Sequence, residues 1–270
     1  MRRGLVLVAS LLALILSAER LDAKSELQRE GRIIFIIGES GGIGPSPNLV
    51  MMNADGSNSH LRLHWASHAS FSPNGRSIAY ELISTRDTRV IAADGPMRDR
   101  LLIRNGSFAD WSPAGIAFER GGDVWVRNPR TGAQTRVVSN GDFPELSRDG
   151  KRLAFVRKSD VWVADLPTKR AHRLIRNAAC GARWSPDGRR IAFERCSQYG
   201  ESYLYVALAD GTSARRVAKG GSPAWSPDGR ELAFSDEKRI VRIRPDGTHR
   251  RVVWGDAQGY CGCRFLDWAR

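Results

Sequence analysis

The chain repeats one short pattern, in which an alternating apolar stretch runs into a polar turn and a second apolar stretch follows. Its fullest copy is Ala182-Arg183-Trp184-Ser185-Pro186-Asp187-Gly188-Arg189-Arg190-Ile191-Ala192-Phe193. Pro186 presets a turn, Asp187 can bond its own backbone and Gly188 tolerates positive φ, so the stretch predicts two antiparallel strands joined as a hairpin. The phrase returns at residues 224–234 and more loosely after Phe71, Trp111 and Leu146. An anchor residue stands at Phe71, Trp111, Leu146, Trp184, Trp225 and, without its turn, at Trp268, with successive spacings of 40, 35, 38, 41 and 43 residues. That period is the length of a four-stranded propeller blade and does not suit a helical repeat.

Six blades account for residues 31–270, which predicts an all-β, six-bladed β-propeller behind an export signal (1–23) and a short polar lead-in (24–30). The strand that opens blade one, Gly31 to Ile37, matches the second strand of the later blades, yet no turn precedes it. The segment from Cys263 to Arg270 supplies a first strand and stops where the turn would come. Pairing the last strand with blade one is therefore expected to close the ring and remove the edges of an open array.

The phrase Trp-Ser-Pro-Asp-Gly-Arg-x-Ile-Ala-Phe, followed by Asp-Gly-Thr and Arg-Arg-Val, resembles the WD40-like repeat of the TolB family's six-bladed propeller across nearly all of residues 31–270. The resemblance implies a periplasmic address and a place in a cell-envelope protein complex. TolB's extra N-terminal α/β domain has no counterpart in the few residues between leader and blade one. The repeat is also similar to the propeller of prolyl-oligopeptidase-like peptidases, whose catalytic domain has no counterpart in these 270 residues.

Met1-Arg2-Arg3 followed by the apolar run Leu5 to Leu16 reads as a signal peptide, with Ala18 or Ala23 as the small residue for cleavage. The run is shorter than the ~20 residues that span a bilayer, so no transmembrane anchor is expected after cleavage. The mature protein is expected in the periplasm or outside the cell, as a monomer. The formal net charge of the full chain, +13, is spread as Arg pairs along the repeats. Such a surface favours an anionic partner, here an envelope protein or anionic polymer, and no specific nucleic-acid contact is predicted. An evenly basic, solvated surface is the plainer alternative. Four cysteines, Cys180, Cys196, Cys261 and Cys263, suit an oxidising compartment. Cys180 and Cys196 flank one turn almost symmetrically, which favours their pairing over a link to the tail. The Cys-Gly-Cys tail has no His or second thiol pair to complete a metal site.

No catalytic residue, cofactor or metal is assigned. Gly38-Glu39-Ser40-Gly41-Gly42 matches the nucleophile-elbow pattern in letters, but a second strand follows it and Pro45 and Pro47 deny it a helix. His60, His64 and His68 would lie roughly 13 Å apart along an extended chain, too far to share a metal. Trp111, Trp125, Trp162, Trp184, Trp225 and Trp268 recur in register and are expected to pack blades.

The position just before each anchor holds Ser70, Asp110, Glu145, Arg183, Ala224 and Asp267, on the strand nearest the axis. Asp110, Glu145, Arg183 and Asp267 are the candidate channel residues, facing water, an ion, a small ligand or one another. The loops that depart most from the repeat supply a binding-face set of Glu39, Ser40, Arg86, Asp87, Gln198 and Tyr199. The sequence thus points to an exported scaffold that binds a protein or polymer at the cell envelope. The competing reading is a secreted lyase or hydrolase that uses the channel residues.

Overall fold

Solidly apolar runs such as Ile-Ala-Phe form strands that neighbours cover on both faces, and the polar turns between them keep those strands short. The computed structural model describes residues 31–38, 47–178, 181–196, 201–236, 239–255 and 264–269. Its strands in order are β1 (Arg32–Ile37), β2 (Asn48–Asn53), β3 (His60–His64), β4 (Ala66–Phe71), β5 (Ser77–Leu82), β6 (Asp87–Ala92), β7 (Arg100–Ile103) and β8 (Ser107–Ser112). There follow β9 (Gly115–Arg120), β10 (Asp123–Arg127), β11 (Gln134–Val138), β12 (Asp142–Leu146), β13 (Arg152–Arg157), β14 (Asp160–Asp165), β15 (Arg170–Ile175) and β16 (Ala182–Trp184). The chain ends with β17 (Arg190–Cys196), β18 (Ser202–Leu208), β19 (Arg215–Lys219), β20 (Gly221–Trp225), β21 (Leu232–Ser235), β22 (Arg239–Ile243), β23 (Arg251–Gly255) and β24 (Arg264–Ala269).

These strands form six antiparallel four-stranded sheets, a six-bladed propeller. Five blades are consecutive in the chain, and the sixth has the order β24-β1-β2-β3. Its register pairs Ile33 with Trp268 and Ile34 with Asp267, so the last strand closes the ring as the truncated repeats at the two ends require. The innermost strands β24, β4, β8, β12, β16 and β20 touch in succession around the axis.

The core lies between blades. Ile34, Leu49 and Met51 of blade one meet Phe71, Ile78 and Tyr80 of blade two, and Ala192, Leu204 and Val206 of blade five meet Trp225, Leu232 and Phe234 of blade six. Phe35, Phe118, Phe155, Phe193 and Phe234, the last residues of the Ile-Ala-Phe runs and their equivalents, are fully buried. Burying a side chain of this size contributes on the order of 1.5–3 kcal/mol.

The turns stabilise themselves. Ser185 Oγ donates to Asp187 Oδ1 at 2.6 Å, and the same carboxylate accepts the Arg189 N–H at 3.0 Å. The Arg190 N–H donates back to Ser185 Oγ at 2.9 Å, while Gly188 takes φ +67°. Ser147 with Asp149 and Ser226 with Asp228 repeat the arrangement, and Asn74 replaces the acid beside Ser72.

A polar layer runs along the seams. Arg32, Arg152 and Arg190 each reach from the start of a blade's second strand onto the anchor ring of the next blade, at 5.7 Å from Phe71, 4.4 Å from Trp184 and 4.9 Å from Trp225. Their Nη2 groups donate to the turn-glycine carbonyls of Gly75 (2.5 Å), Gly188 (2.8 Å) and Gly229 (2.9 Å). Arg242 covers Trp268 at 4.7 Å and donates to the Ala54 carbonyl at 3.0 Å, an equivalent clasp at the seam of ring closure. We expect Arg190→Met, which keeps the stem and removes the guanidinium, to cost about 1–2 kcal/mol. A urea titration reads this as a lower midpoint at unchanged slope, and an unmoved midpoint would reduce Arg190 to surface charge.

Candidate functional site

The inner strands place the same two positions around the axis in every blade. Three residues before the anchor stand His68, Phe108, Phe143, Gly181, Ser222 and Phe265, all with positive φ between 43° and 98°. The pairing of first and second strands shifts register just after this position in five of the six blades. The bulge turns the side chains toward the axis, where four rings gather into a collar. His68 lies 4.1 Å from Phe108 and 3.7 Å from Phe265 between centroids, and Phe108 lies 4.4 Å from Phe143.

One position before the anchor, the channel candidates form a girdle. Asp267 Oδ2 accepts the Phe71 N–H at 2.6 Å, Ser70 Oγ accepts the Trp111 N–H at 3.1 Å and Asp110 Oδ2 accepts the Leu146 N–H at 2.9 Å. Each of these residues thus satisfies the anchor amide of the following blade. Glu145 instead pairs with Arg183, whose Nη1 sits 2.5 Å from Glu145 Oε2 and 3.6 Å from Asp110 Oδ1. The structure therefore brings Asp110, Glu145 and Arg183 into one cluster, with Asp267 on the same level of the channel.

Burial pushes Asp110 up to about 6, against the pull of Arg183 and the Leu146 amide. Burial raises Glu145 as well, and the neighbouring Asp110 and Asp267 charges add to it. Burial works against the Arg183 charge, but Glu145, Asp110 and Asp267 outweigh it and hold the guanidinium protonated. The girdle divides the channel. On the turn side it opens into a funnel of about 470 Å³ that reaches Asn74, Pro113, Arg148, Pro186 and Pro227. On the side of the blade connections, the collar and girdle enclose a chamber of about 60 Å³.

The loop candidates divide. Arg86 is exposed with φ +55°, its Nε 4.0 Å from Glu81 Oε1, whereas Asp87 Oδ1 is occupied by the Asn105 N–H at 2.9 Å. Glu39, Ser40, Gln198, Tyr199, Cys180, Cys261 and Cys263 lie outside the described residues, as does the side chain of Cys196 at the end of β17. The three histidines are apart in role. His60 and His64 bond Asn58 and Asn48 on an outer strand, and His68 belongs to the collar. The collar escaped the sequence reading, although aligning the residues three before each anchor reveals three Phe and one His.

The fold is that of a channel-bearing six-bladed propeller, and solved structures share it. TolB from Acinetobacter baumannii superposes with a TM-score of 0.74 at 16% identity, covering 89% of this chain and 67% of that one. The putative TolB from Agrobacterium tumefaciens gives 0.61 at 16% identity, over 89% of this chain and 99% of that one. Hydrazine synthase from Kuenenia stuttgartiensis gives 0.52 at 14% identity, over 74% and 71%. No family model matches the chain. No helix among the described residues is long and apolar enough to cross a membrane.

The raised Asp110 fixes the sign of a pH effect. Against an unfolded value of about 3.9, folding favours the protonated acid, so its contribution is full below that value and is lost as pH rises through about 6. We expect Asp110→Asn to gain stability relative to the parent as pH rises from about 4 to 7. A stability difference that stays flat across this range, followed by thermal melts in matched buffers, would place Asp110 in water instead.

Proposed function

We propose that the protein is an exported propeller that docks an envelope protein on the face carrying its irregular loops and blade connections. The observation that carries this reading is Trp65. It is 59% exposed in the connection from β3 to β4, with φ +60°. A large aromatic in water is an unusual place for apolar area, and Trp is among the residues that dominate protein interfaces. Two loops converge on it. The Trp65 carbonyl accepts the Ile83 N–H at 3.3 Å, and the next residue, Ala66, donates to Pro47 at 3.3 Å. Arg86 lies in one of these loops, and Glu39 and Ser40 lie in the sequence leading to Pro47. The TolB likeness supports an envelope setting for such a scaffold, and the leader supports export.

The partner is anionic in this reading, because cations exceed acids by 13 over the chain. In a pull-down of the mature protein against envelope extract, we expect Trp65→Ala to lose about tenfold or more in capture at unchanged melting temperature. Capture should also weaken as salt rises through the screening range. Full capture by the variant, or capture indifferent to salt, would move the docking site away from this face.

The second reading, a channel lyase or hydrolase acting on an anionic saccharide or peptide, draws on the raised carboxyls of Asp110 and Glu145. Perturbed acids in one pocket are a mark of catalysis, but an acid and a base need environments that push them apart. Here both move upward, and both already hold protein donors, which favours the docking role.

Export also supports the Cys180–Cys196 bridge. Peptide mapping of the unreduced protein should recover that link, and a link from Cys180 to Cys261 or Cys263 would overturn it.

A further inference from the structure

The chamber between collar and girdle has three features that call for the same ligand chemistry. The first is charge. Among the described residues, Asp110, Glu145 and Asp267 meet a single guanidinium, Arg183, so acids outnumber cations in the girdle when they are ionised. The upward shifts of Asp110 and Glu145 express that deficit.

The second feature is a proton acceptor without a donor. His68 Nδ1 lies 3.0 Å from Glu81 Oε2 and 2.9 Å from Ser67 Oγ. Burial works to raise Glu81, but bonds from His68, Ser107 and the Phe108 amide outweigh it and keep the carboxyl ionised. Burial lowers His68, so its ring is neutral, and with Nδ1 3.0 Å from the ionised Glu81 carboxylate its one proton belongs on Nδ1, where a bare lone pair would face the negative charge. Nε2 is then a lone pair, and it is buried with no hydrogen-bond partner among the described residues. A buried acceptor in that state needs an N–H or O–H.

The third feature is the wall. Phe108, Phe143 and Phe265 line the chamber beside His68, and aromatic faces attract cations most strongly where water is excluded. The collar has a gap, since Gly181 and Ser222 carry no ring. A volume of about 60 Å³ holds a small group. At roughly 10–15 Å³ for each water-sized occupant, that is about four to six such groups.

We propose that this chamber binds a primary alkylammonium group, which enters past Gly181 and Ser222. Its N–H bonds go to His68 Nε2 and to the girdle carboxylates, and its methylenes lie against the phenylalanine rings. The same group can arrive on a free amine or on a lysine side chain. Titration calorimetry of the full chain with n-butylammonium, with Nα-acetyl-lysine methylamide and with n-butanol as the neutral control distinguishes the sources. Tighter binding of the lysine amide assigns the chamber to a protein side chain, and tighter binding of butylammonium assigns it to a free amine. Butanol should bind at least about tenfold more weakly than either. Glu145→Gln keeps a partner for Arg183 and should weaken the ammonium by about tenfold. Ser222→Phe puts in the gap a residue that three other blades hold in the same backbone conformation, and it should block binding at unchanged melting temperature. No heat with either ammonium into the millimolar range, butanol binding as tightly, or binding unmoved by both variants would overturn the proposal.

Discussion

Each blade is too thin to have a core of its own, so the seam between blades holds the molecule together. A four-stranded sheet buries apolar residues on both faces only when a neighbour stands on each side, and six such sheets satisfy one another in a circle. The anchor residue is the centre of each seam. At Trp184 and Trp225 it packs on apolar neighbours, lies under a guanidinium from the preceding blade and leads into a turn whose glycine carbonyl receives that guanidinium. At Phe71, Trp111 and Leu146 its amide is satisfied by the inner-strand residue of the preceding blade. Apolar contacts thus meet a cation–π clasp at four anchors and an inner-strand hydrogen bond at three, and the chain keeps their register by repeating a phrase of fixed internal spacing.

This arrangement changes the meaning of the net charge. Arg32, Arg152, Arg190 and Arg242 lie inside seams and are as much a part of the packing as the rings they cover. Arg183 neutralises the channel. Other arginines stand on the outer strands, such as Arg170 and Arg173 on β15 and Arg215 and Arg216 on β19, where charge discourages edge pairing with another chain. The acids are similarly occupied, since Asp149, Asp187 and Asp228 are held below the usual carboxylate range within their turns. These contacts fix where the charges stand without changing their sum, so the excess of 13 positive charges remains for a partner to meet.

The ring was legible in the sequence because its cause is periodic. Anchors at fixed spacing, turns of Pro, Asp or Asn and Gly, and half-blades at the two ends left one way to close it. Alignment on the anchor also located the girdle. The clasps were less legible, since an Arg after Ser-Pro-Asp-Gly looks the same whether it points to water or across a seam. The collar was hidden by the bulge. Period-two reasoning carries a strand from residue to residue only while the ladder is regular, and the register shift between Ser67 and Ser70, or Ser107 and Asp110, breaks that count. Trp65 was missed for a further reason: it sits in a connection, where no periodicity constrains a residue.

The collar separates what the fold imposes from what this chain adds. Bulky residues with positive φ are uncommon and cost on the order of 1–3 kcal/mol each, so their presence beside a channel invites a functional reading. All six blades, however, adopt that conformation at this position, including Ser222 and Gly181. The backbone geometry therefore belongs to the convergence of six inner strands and carries no information about a ligand. The side chains are a different matter. Glycine would meet the backbone requirement at least expense, as it does at Gly181, yet three blades spend the position on phenylalanine and one on histidine. These rings narrow one end of the channel over a charged floor, with a gap at Gly181 and Ser222, and the other end is open as a funnel. The seams do not require that asymmetry, so it comes from the side chains this chain places on a backbone common to all six blades.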